Sequence, residues 1–291
     1  MEEVILYQDA HVPDSFVPGE VPDGAVIYEP HKCWEDMYNV INEAKLFIYI
    51  VGWSLCTQIS LVRDLNRPHP GRSQTLGELL KRKAKIDKVT VVLLLWNDIT
   101  AVSFIGNDGL MDTHDKETQK YFKNTGVHCV LHTRGCFSDS SHHQKILVVD
   151  SKLQNREESD QRRIVSFIGG IDLCSGRYNT LGHSLFRTLN LNAEHNKDFH
   201  QPSIKGSAIE KGGPREPWHD VHCKLEGPIA WDVYSTFVQR FKKEGTNQSM
   251  LLSEEKIKDF IAAPSQVTDP DNDDDTWNVQ LFNYSLEMKR I

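Results

Sequence analysis

The chain has 291 residues, 39% hydrophobic and 25% charged, with a formal net charge of −8. That length suits one large domain or two smaller ones, and the balance excludes a chain disordered throughout. Its longest apolar runs, 46–51 and 91–96, are strand-sized and far short of the roughly 20 residues that a membrane-crossing helix needs. The acidic start, Met1-Glu2-Glu3, lacks the apolar region of a signal peptide, so a cytoplasmic protein is expected. The acidic balance repels phosphate over long range, and no nucleic-acid partner is expected. Six cysteines (Cys33, Cys56, Cys129, Cys136, Cys174 and Cys223) form no C-x-x-C pair and are read as free thiols in a reducing compartment.

In chain order, residues 4–7 are a strand candidate. Trp34, Met37, Tyr38 and Ile41 fall at i, i+3, i+4 and i+7, the stripe of an amphipathic helix. Residues 46–51 then read as a strand buried on both faces. Thr75-Leu76-Gly77-Glu78 fits a capping box opening a helix that runs to about Lys85. A buried strand is predicted over 89–95, a polar helix over 114–122, and further strands over 127–131, 146–149 and 164–168. The expectation is a layered α-β-α sandwich with a mixed, largely parallel sheet.

Residues 179–217 lack periodicity and read as long surface loops, which in a compact domain tend to carry function. Pro228 opens a helix whose apolar stripe is Ala230, Val233, Tyr234, Phe237 and Phe241, and Gly245 stops it. The acidic run 269–275 resembles a calcium loop but lacks its sixth-position Gly and twelfth-position Glu, where Gln280 stands, so it reads as solvated. Residues 277–284 look like a last strand. The division expected is a catalytic lobe over 1–245 and an acidic connector over 246–291 that begins a second lobe.

The sharpest feature is His143-Gln144-Lys145-Ile146-Leu147-Val148-Val149-Asp150, the pattern H-x-K-x4-D. A spacing of two sends His143 and Lys145 to one face of a strand. A neutral imidazole can attack phosphorus, and an ammonium beside it holds the non-bridging oxygens. A carboxylate behind an imidazole fixes its tautomer, the role expected of Asp150. Residues 164–168 run into Gly169-Gly170-Ile171-Asp172, and Gly169 and Gly170 would let backbone approach a bound anion. G-x-S-x-G, G-x-x-x-x-G-K-[ST] and H-E-x-x-H do not occur.

This motif resembles the signature of the phospholipase D superfamily. More closely, the chain resembles the N-terminal catalytic half of the plant-type enzymes. The similarity rests on Leu6–Asp14, Gly52-Trp53-Ser54, Leu76–Lys81, Asp108–Met111, Thr113-His114-Asp115, His142–Asp150, Gly169–Cys174, His183–Arg187, Gly212–His222 and Leu225–Pro228. The resemblance implies hydrolysis of phosphatidylcholine-like lipids to phosphatidate and a head-group alcohol, through a phosphohistidine. It implies that His143, Lys145 and Asp150 form the first of two facing motifs. It further implies a calcium ion held by Asp9, His183 and His219, and a phospholipid membrane surface as partner of a peripherally associated enzyme. Arg187 and Arg215 are read as phosphate clamps or surface ion pairs, and His222 as a structural histidine.

Four features depart from the family pattern. No second H-x-K-x4-D occurs before Ile291; no lipid-binding β-sandwich precedes the similar region; residues 131–141 are short; and Ser175 and Asn179 stand where aspartates are usual. A homodimer or a complementing second lobe would restore a two-histidine site. Alternative expectations are an inactive phosphate- or lipid-binding remnant and a homodimeric phosphodiesterase of the same superfamily.

Overall fold

The structure is a computed structural model. It describes residues 3–8, 11–12, 30–64, 68–98, 113–132, 143–153, 161–190, 195–196, 198–263 and 278–282. Among the described residues seven strands form one sheet: β1 (Glu3–Tyr7), β2 (Phe47–Gly52), β3 (Thr90–Trp96), β4 (Val127–His132), β5 (Ile146–Lys152), β6 (Arg162–Gly169) and β7 (His222–Glu226). The helices are α1 (Cys33–Glu43), α2 (Leu76–Lys85), α3 (Asp115–Phe122), α4 (Pro228–Lys243) and α5 (Glu254–Phe260).

Strand alternation builds the layers. Ile48, Ile50, Val91, Leu93, Leu95, Leu147 and Val149 face one side, where Trp34, Met37, Tyr38 and Ile41 of α1 and Leu76, Leu79 and Leu80 of α2 cover them. Phe47, Tyr49, Val51, Val92, Leu94, Ile146 and Val148 face the other, under Ala230, Val233, Phe237 and Phe241 of α4. Both helical stripes expected from periodicity are therefore the buried faces. The capping box of α2 is complete: Thr75 accepts from Glu78 N at 3.2 Å and Glu78 accepts from Thr75 N at 3.0 Å.

The sheet order is β1-β7-β6-β5-β2-β3-β4. The layered α/β architecture is as expected, but the largely parallel sheet needs correction. Only β2–β3 and β3–β4 pair parallel; β1–β7, β7–β6, β6–β5 and β5–β2 are antiparallel. Five strands share one direction, but β5 and β7 run against them and sit between them. The order matters for the site, because the starts of β5 and β7 then lie at the sheet edge where β2 and β6 end.

Two elements escaped the sequence reading. Strand β7 carries Lys224 and Glu226, and Glu226 is buried in ion pairs with Arg163 and Lys224. Helix α5 is short, opened by Ser253 accepting from Lys256 N at 3.4 Å. Ile257 of α5 joins the α4-side core, so packing continues past Gly245. The described residues of 179–217 hold one short 3-10 turn, Ile209–Lys211, in agreement with the expected loops. Residues 278–282 form no strand; the rest of 277–284 and the acidic run 269–275 lie outside the described residues. Cys33, Cys56, Cys129, Cys174 and Cys223 are free thiols, and Cys136 lies outside the described residues. No helix among the described residues is long and apolar enough to cross a membrane.

Candidate active site at the start of β5

Gly52 ends β2 and Gly169 ends β6, while Ile146 begins β5 and His222 begins β7. The pairings Val51↔Ile146, Ile146↔Ile168 and Gly169↔His222 place all four at one sheet edge. In open α/β sheets such an edge, beyond the carboxyl ends of strands, is where ligands gather. His143 and Lys145 lie just before β5 on this edge.

Lys145 is buried, yet its ammonium is satisfied. Nζ lies 3.2 Å from Asp172 Oδ2 and donates to the His143 carbonyl at 3.3 Å. Asp172 is buried too and accepts backbone N–H from Trp53 at 3.0 Å and Ser54 at 3.4 Å. Burial pushes the Asp172 carboxyl up, and Lys145 pulls it back. A Cβ on Gly52 would sit 3.2 Å from Asp172 Oδ1, so the absent side chain there leaves room for the carboxylate. The G-G-I-D stretch contains Asp172, but its role depends on Lys145 and on the amides that follow β2, more than 100 residues away.

His143 is solvent-exposed. Partial burial and then the Lys145 charge lower its pKa, while Asp172 and Asp220 oppose the shift and Arg177 adds to it. The imidazole is thus held neutral at neutral pH, the form in which nitrogen is a nucleophile. Both residues precede β5, so the shared strand face expected from their spacing is not formed; what joins them is Lys145 Nζ on the His143 carbonyl.

Asp150 does not stand behind the imidazole. It lies at the other end of β5, a rise of roughly 13 Å from Ile146. Fully buried, it accepts from Lys45 N at 3.0 Å, Leu46 N at 2.8 Å and Phe47 N at 2.8 Å, and it pairs with Arg162. Its expected role as the tautomer-fixing carboxylate is therefore corrected: Asp150 ties the entry of β2 to β5 and β6.

Gly169 and Gly170 also serve a different need from the anion approach expected of them. A Cβ on Gly169 would meet Val221 O at 2.5 Å and His222 Cα at 2.6 Å, and one on Gly170 would collide with the Asp220 carboxylate. Gly170 N–H already donates to Val221 O at 2.9 Å. The close approach they permit is that of the chain entering β7. That contact seats His222, which is buried and accepts from Ile171 N at 3.3 Å through Nδ1. Burial and Lys145 push the His222 pKa down to about 3, so it is a neutral structural histidine.

The proposed calcium ligands come only partly together. Asp9 lies outside the described residues. His183 is exposed, and its Nδ1 lies 2.6 Å from Asn179 Nδ2. Asn179 Nδ2 also donates to Trp218 O at 3.1 Å, which brings the residue before His219 alongside. Asn179 Oδ1, the oxygen best suited to a hard cation, instead accepts from Arg215 Nη1 at 3.2 Å. Among the described residues no three His, Cys, Asp or Glu side chains gather as a metal cluster. The described donors do not fit calcium.

Arg215 is neither a phosphate clamp nor a surface pair. It is buried, and its guanidinium donates to Tyr178 O at 3.0 Å and Ser184 O at 3.1 Å as well as to Asn179. Arg187 is exposed. Two groups near His143 went unread in the sequence: Arg177, whose guanidinium stacks 3.5 Å over the Trp218 ring, and Asp220, which accepts from Trp218 Nε1. The stack of Arg177 on Trp218 joins loops 41 residues apart, for which no local pattern speaks.

Comparison with known proteins agrees with the geometry. A phospholipase D family model matches residues 40–289. The chain belongs to the phospholipase D family. It is 54% identical to phospholipase D alpha 1 of Vigna unguiculata, over 96% of this chain and 36% of that protein. It is 55% identical to that of Zea mays and 52% identical to that of Arabidopsis thaliana, in each case over 96% of this chain and 35% of the relative. This phospholipase D chain thus spans about a third of the length of the curated relatives it matches. Within it, the family's H-x-K-x4-D element divides into two ends, His143 and Lys145 at the edge and Asp150 in the frame.

Proposed function

We propose that this chain carries one half of a phospholipase D-type phosphodiesterase site, acting on glycerophospholipids such as phosphatidylcholine. One observation carries the reading: a buried ammonium, Lys145, is fixed by Asp172 and donates to the carbonyl of the exposed His143. In this reading the His143 nitrogen attacks phosphorus, a P–N bond forms, and the P–O bond to the head group breaks. The leaving alkoxide takes a proton from an acid on the facing half of the site. Water then attacks phosphorus, giving its proton to the group that protonated the alkoxide, and the P–N bond breaks to leave phosphatidate and the free imidazole. Lys145 offsets charge on the non-bridging oxygens throughout. A partner half, from a second copy or a complementing lobe, belongs to the proposal because the chain holds a single H-x-K-x4-D. A cytoplasmic enzyme peripherally associated with phospholipid membranes belongs to it as well.

The same single motif favours one second reading, a phosphate- or lipid-binding module without turnover. Loss of a general acid costs about 10²–10⁴ in rate. The deciding experiment is phosphatidylcholine hydrolysis by the purified chain and by His143→Ala, with calcium and with a chelator, alongside solution mass. Turnover that disappears in a folded His143→Ala variant supports the enzyme reading, and a dimer mass assigns the second half to another copy. Undiminished turnover in that variant overturns the nucleophile assignment. An inactive monomer that binds inorganic phosphate through Lys145 selects the binding module; one that binds none defeats both. A rate unaffected by chelation agrees with described donors that do not fit calcium; a rate abolished by it requires ligands outside the described residues.

A further inference from the structure

Beside the site lies a loop that displays apolar side chains on a braced backbone. Leu181, Leu185 and Phe186 are 44%, 43% and 55% exposed. They stand on two tight turns, closed by His183 N→Thr180 O at 2.9 Å and Leu189 N→Phe186 O at 3.1 Å. The buried Arg215 holds this loop from beneath: its backbone N–H donates to Leu185 O at 2.9 Å and its guanidinium to Ser184 O at 3.1 Å. Leu189 anchors the loop's end in the interior, 6% exposed. The next loop rests against it, since Gly213 packs on Leu185 O and donates to Ala208 O at 3.1 Å. That second loop adds Ile204, 49% exposed.

Charge around these side chains runs against the rest of the molecule. Residues 181–189 contain Arg187 and no carboxylate, and residues 203–213 contain Lys205 and Lys211 against Glu210 alone, in a chain of net charge −8. All four charged residues are exposed. Glu216 adds one carboxylate beside the second loop, accepting from Ser203 Oγ at 2.9 Å, so three cations stand against two carboxylates. Exposed apolar side chains on loops of net positive charge complement a surface with an apolar interior and anionic phosphates at its rim.

The patch is joined to the site by short contacts. His183 meets Asn179, Asn179 donates to Trp218 O, and Trp218 donates to Asp220, whose charge acts on His143. We infer that Leu181, Leu185, Phe186 and Ile204, with Arg187, Lys205 and Lys211, form a membrane-docking apron that seats the His143 edge on a phospholipid bilayer. The choice of partner rests on the lipid-directed reading above, but docking itself needs no turnover.

The test is partition of the purified chain onto phosphatidylcholine vesicles with and without phosphatidylglycerol, read by cosedimentation. A Leu185→Ser/Phe186→Ser variant is expected to bind both vesicle types about tenfold more weakly. Phe186→Trp, which keeps a large apolar tip suited to the interface, is expected to match or exceed the parent. Arg187→Gln is expected to weaken binding to the phosphatidylglycerol vesicles selectively, with the difference fading at high salt. His143→Ala is expected to partition like the parent, so failure of the hydrolysis reading leaves this result standing. Near-ultraviolet circular dichroism of each variant establishes that it is folded. Unchanged partition of the folded double-serine variant overturns the inference. So does a parent chain that ignores vesicles but self-associates through these residues, which would assign the patch to a second copy.

Discussion

Lys145 Nζ and Asp172 Oδ2 lie 3.2 Å apart with side chains 6% and 2% exposed, so the cation nearest His143 is held by a carboxylate that water scarcely reaches. The pair joins the start of β5 to the loop leaving β6, and through Asp172 to the amides that follow β2.

Removing one partner leaves the other charge buried alone. Asp172→Asn is expected to destabilise the fold by about 3–5 kcal/mol, measured by urea unfolding. Lys145→Met combined with Asp172→Asn should cost less than the two single changes summed, because neither charge is then stranded. Strict additivity would show that the two groups do not act as a pair.

The two ends of the H-x-K-x4-D element are expected to separate by experiment. Asp150→Asn should lower the thermal midpoint, since the three amides at the entry of β2 and Arg162 lose a full carboxylate; about 2–4 kcal/mol is expected. The His143 imidazole, followed by NMR, should titrate as in the parent. Lys145→Met should instead raise the His143 pKa, because the ammonium now depresses it. A His143 shift in the folded Asp150→Asn chain would contradict the division of labour drawn here.

Stability should fall in mild acid through two buried histidines. Burial and Lys145 hold the His222 pKa at about 3, and burial and Arg215, reinforced by Arg63 and opposed by Asp198, hold that of His195 at about 4, both from an ordinary 6.5. Between those values and 6.5 the unfolded chain binds protons that the folded chain refuses. The free energy of unfolding therefore rises with pH and is lost as pH falls through this window. With both histidines the slope approaches about 2.7 kcal/mol per pH unit. Urea titrations from about pH 7 to about pH 4.5 should show a shallower fall for His222→Asn; equal slopes would count against the buried neutral form.

Crowding at the entry of β7 yields another expectation. Gly169→Ala would set a methyl 2.5 Å from Val221 O and 2.6 Å from His222 Cα, against backbone that cannot swing away. A loss of about 1–3 kcal/mol is expected. The His222 resonance should shift as well, which a loss of chain entropy alone would not cause.

The chemistry was more legible in sequence than the framework that holds it. The α1 stripe, the capping box of α2 and the spacing of His143 from Lys145 are local, and residues a few places apart encode them. Strand direction is not local: nothing within 146–149 tells that β5 enters between β2 and β6 against both. Asp150 was misread for the same reason, because its partners at Lys45, Leu46 and Phe47 stand 103–105 residues away. The glycine pair was recognised as a place of close approach, but the group approaching it is the chain itself, returning after the long loops. Arg215 in isolation looked like a surface cation. Only the fold reveals three oxygens converging on its buried guanidinium.

The amide knot around Asp150 has a consequence for how the motif can vary. One strand follows His143 and Lys145 at its start and bears the fastening of a neighbouring strand toward its finish, so the intervening residues work as a gauge of fixed length. Inserting a single residue would turn the carboxylate to the opposite face and unfasten β2, while leaving the imidazole and ammonium where they are. The gap between Lys145 and Asp150 is thus a dimension of the scaffold rather than a distance between reacting groups.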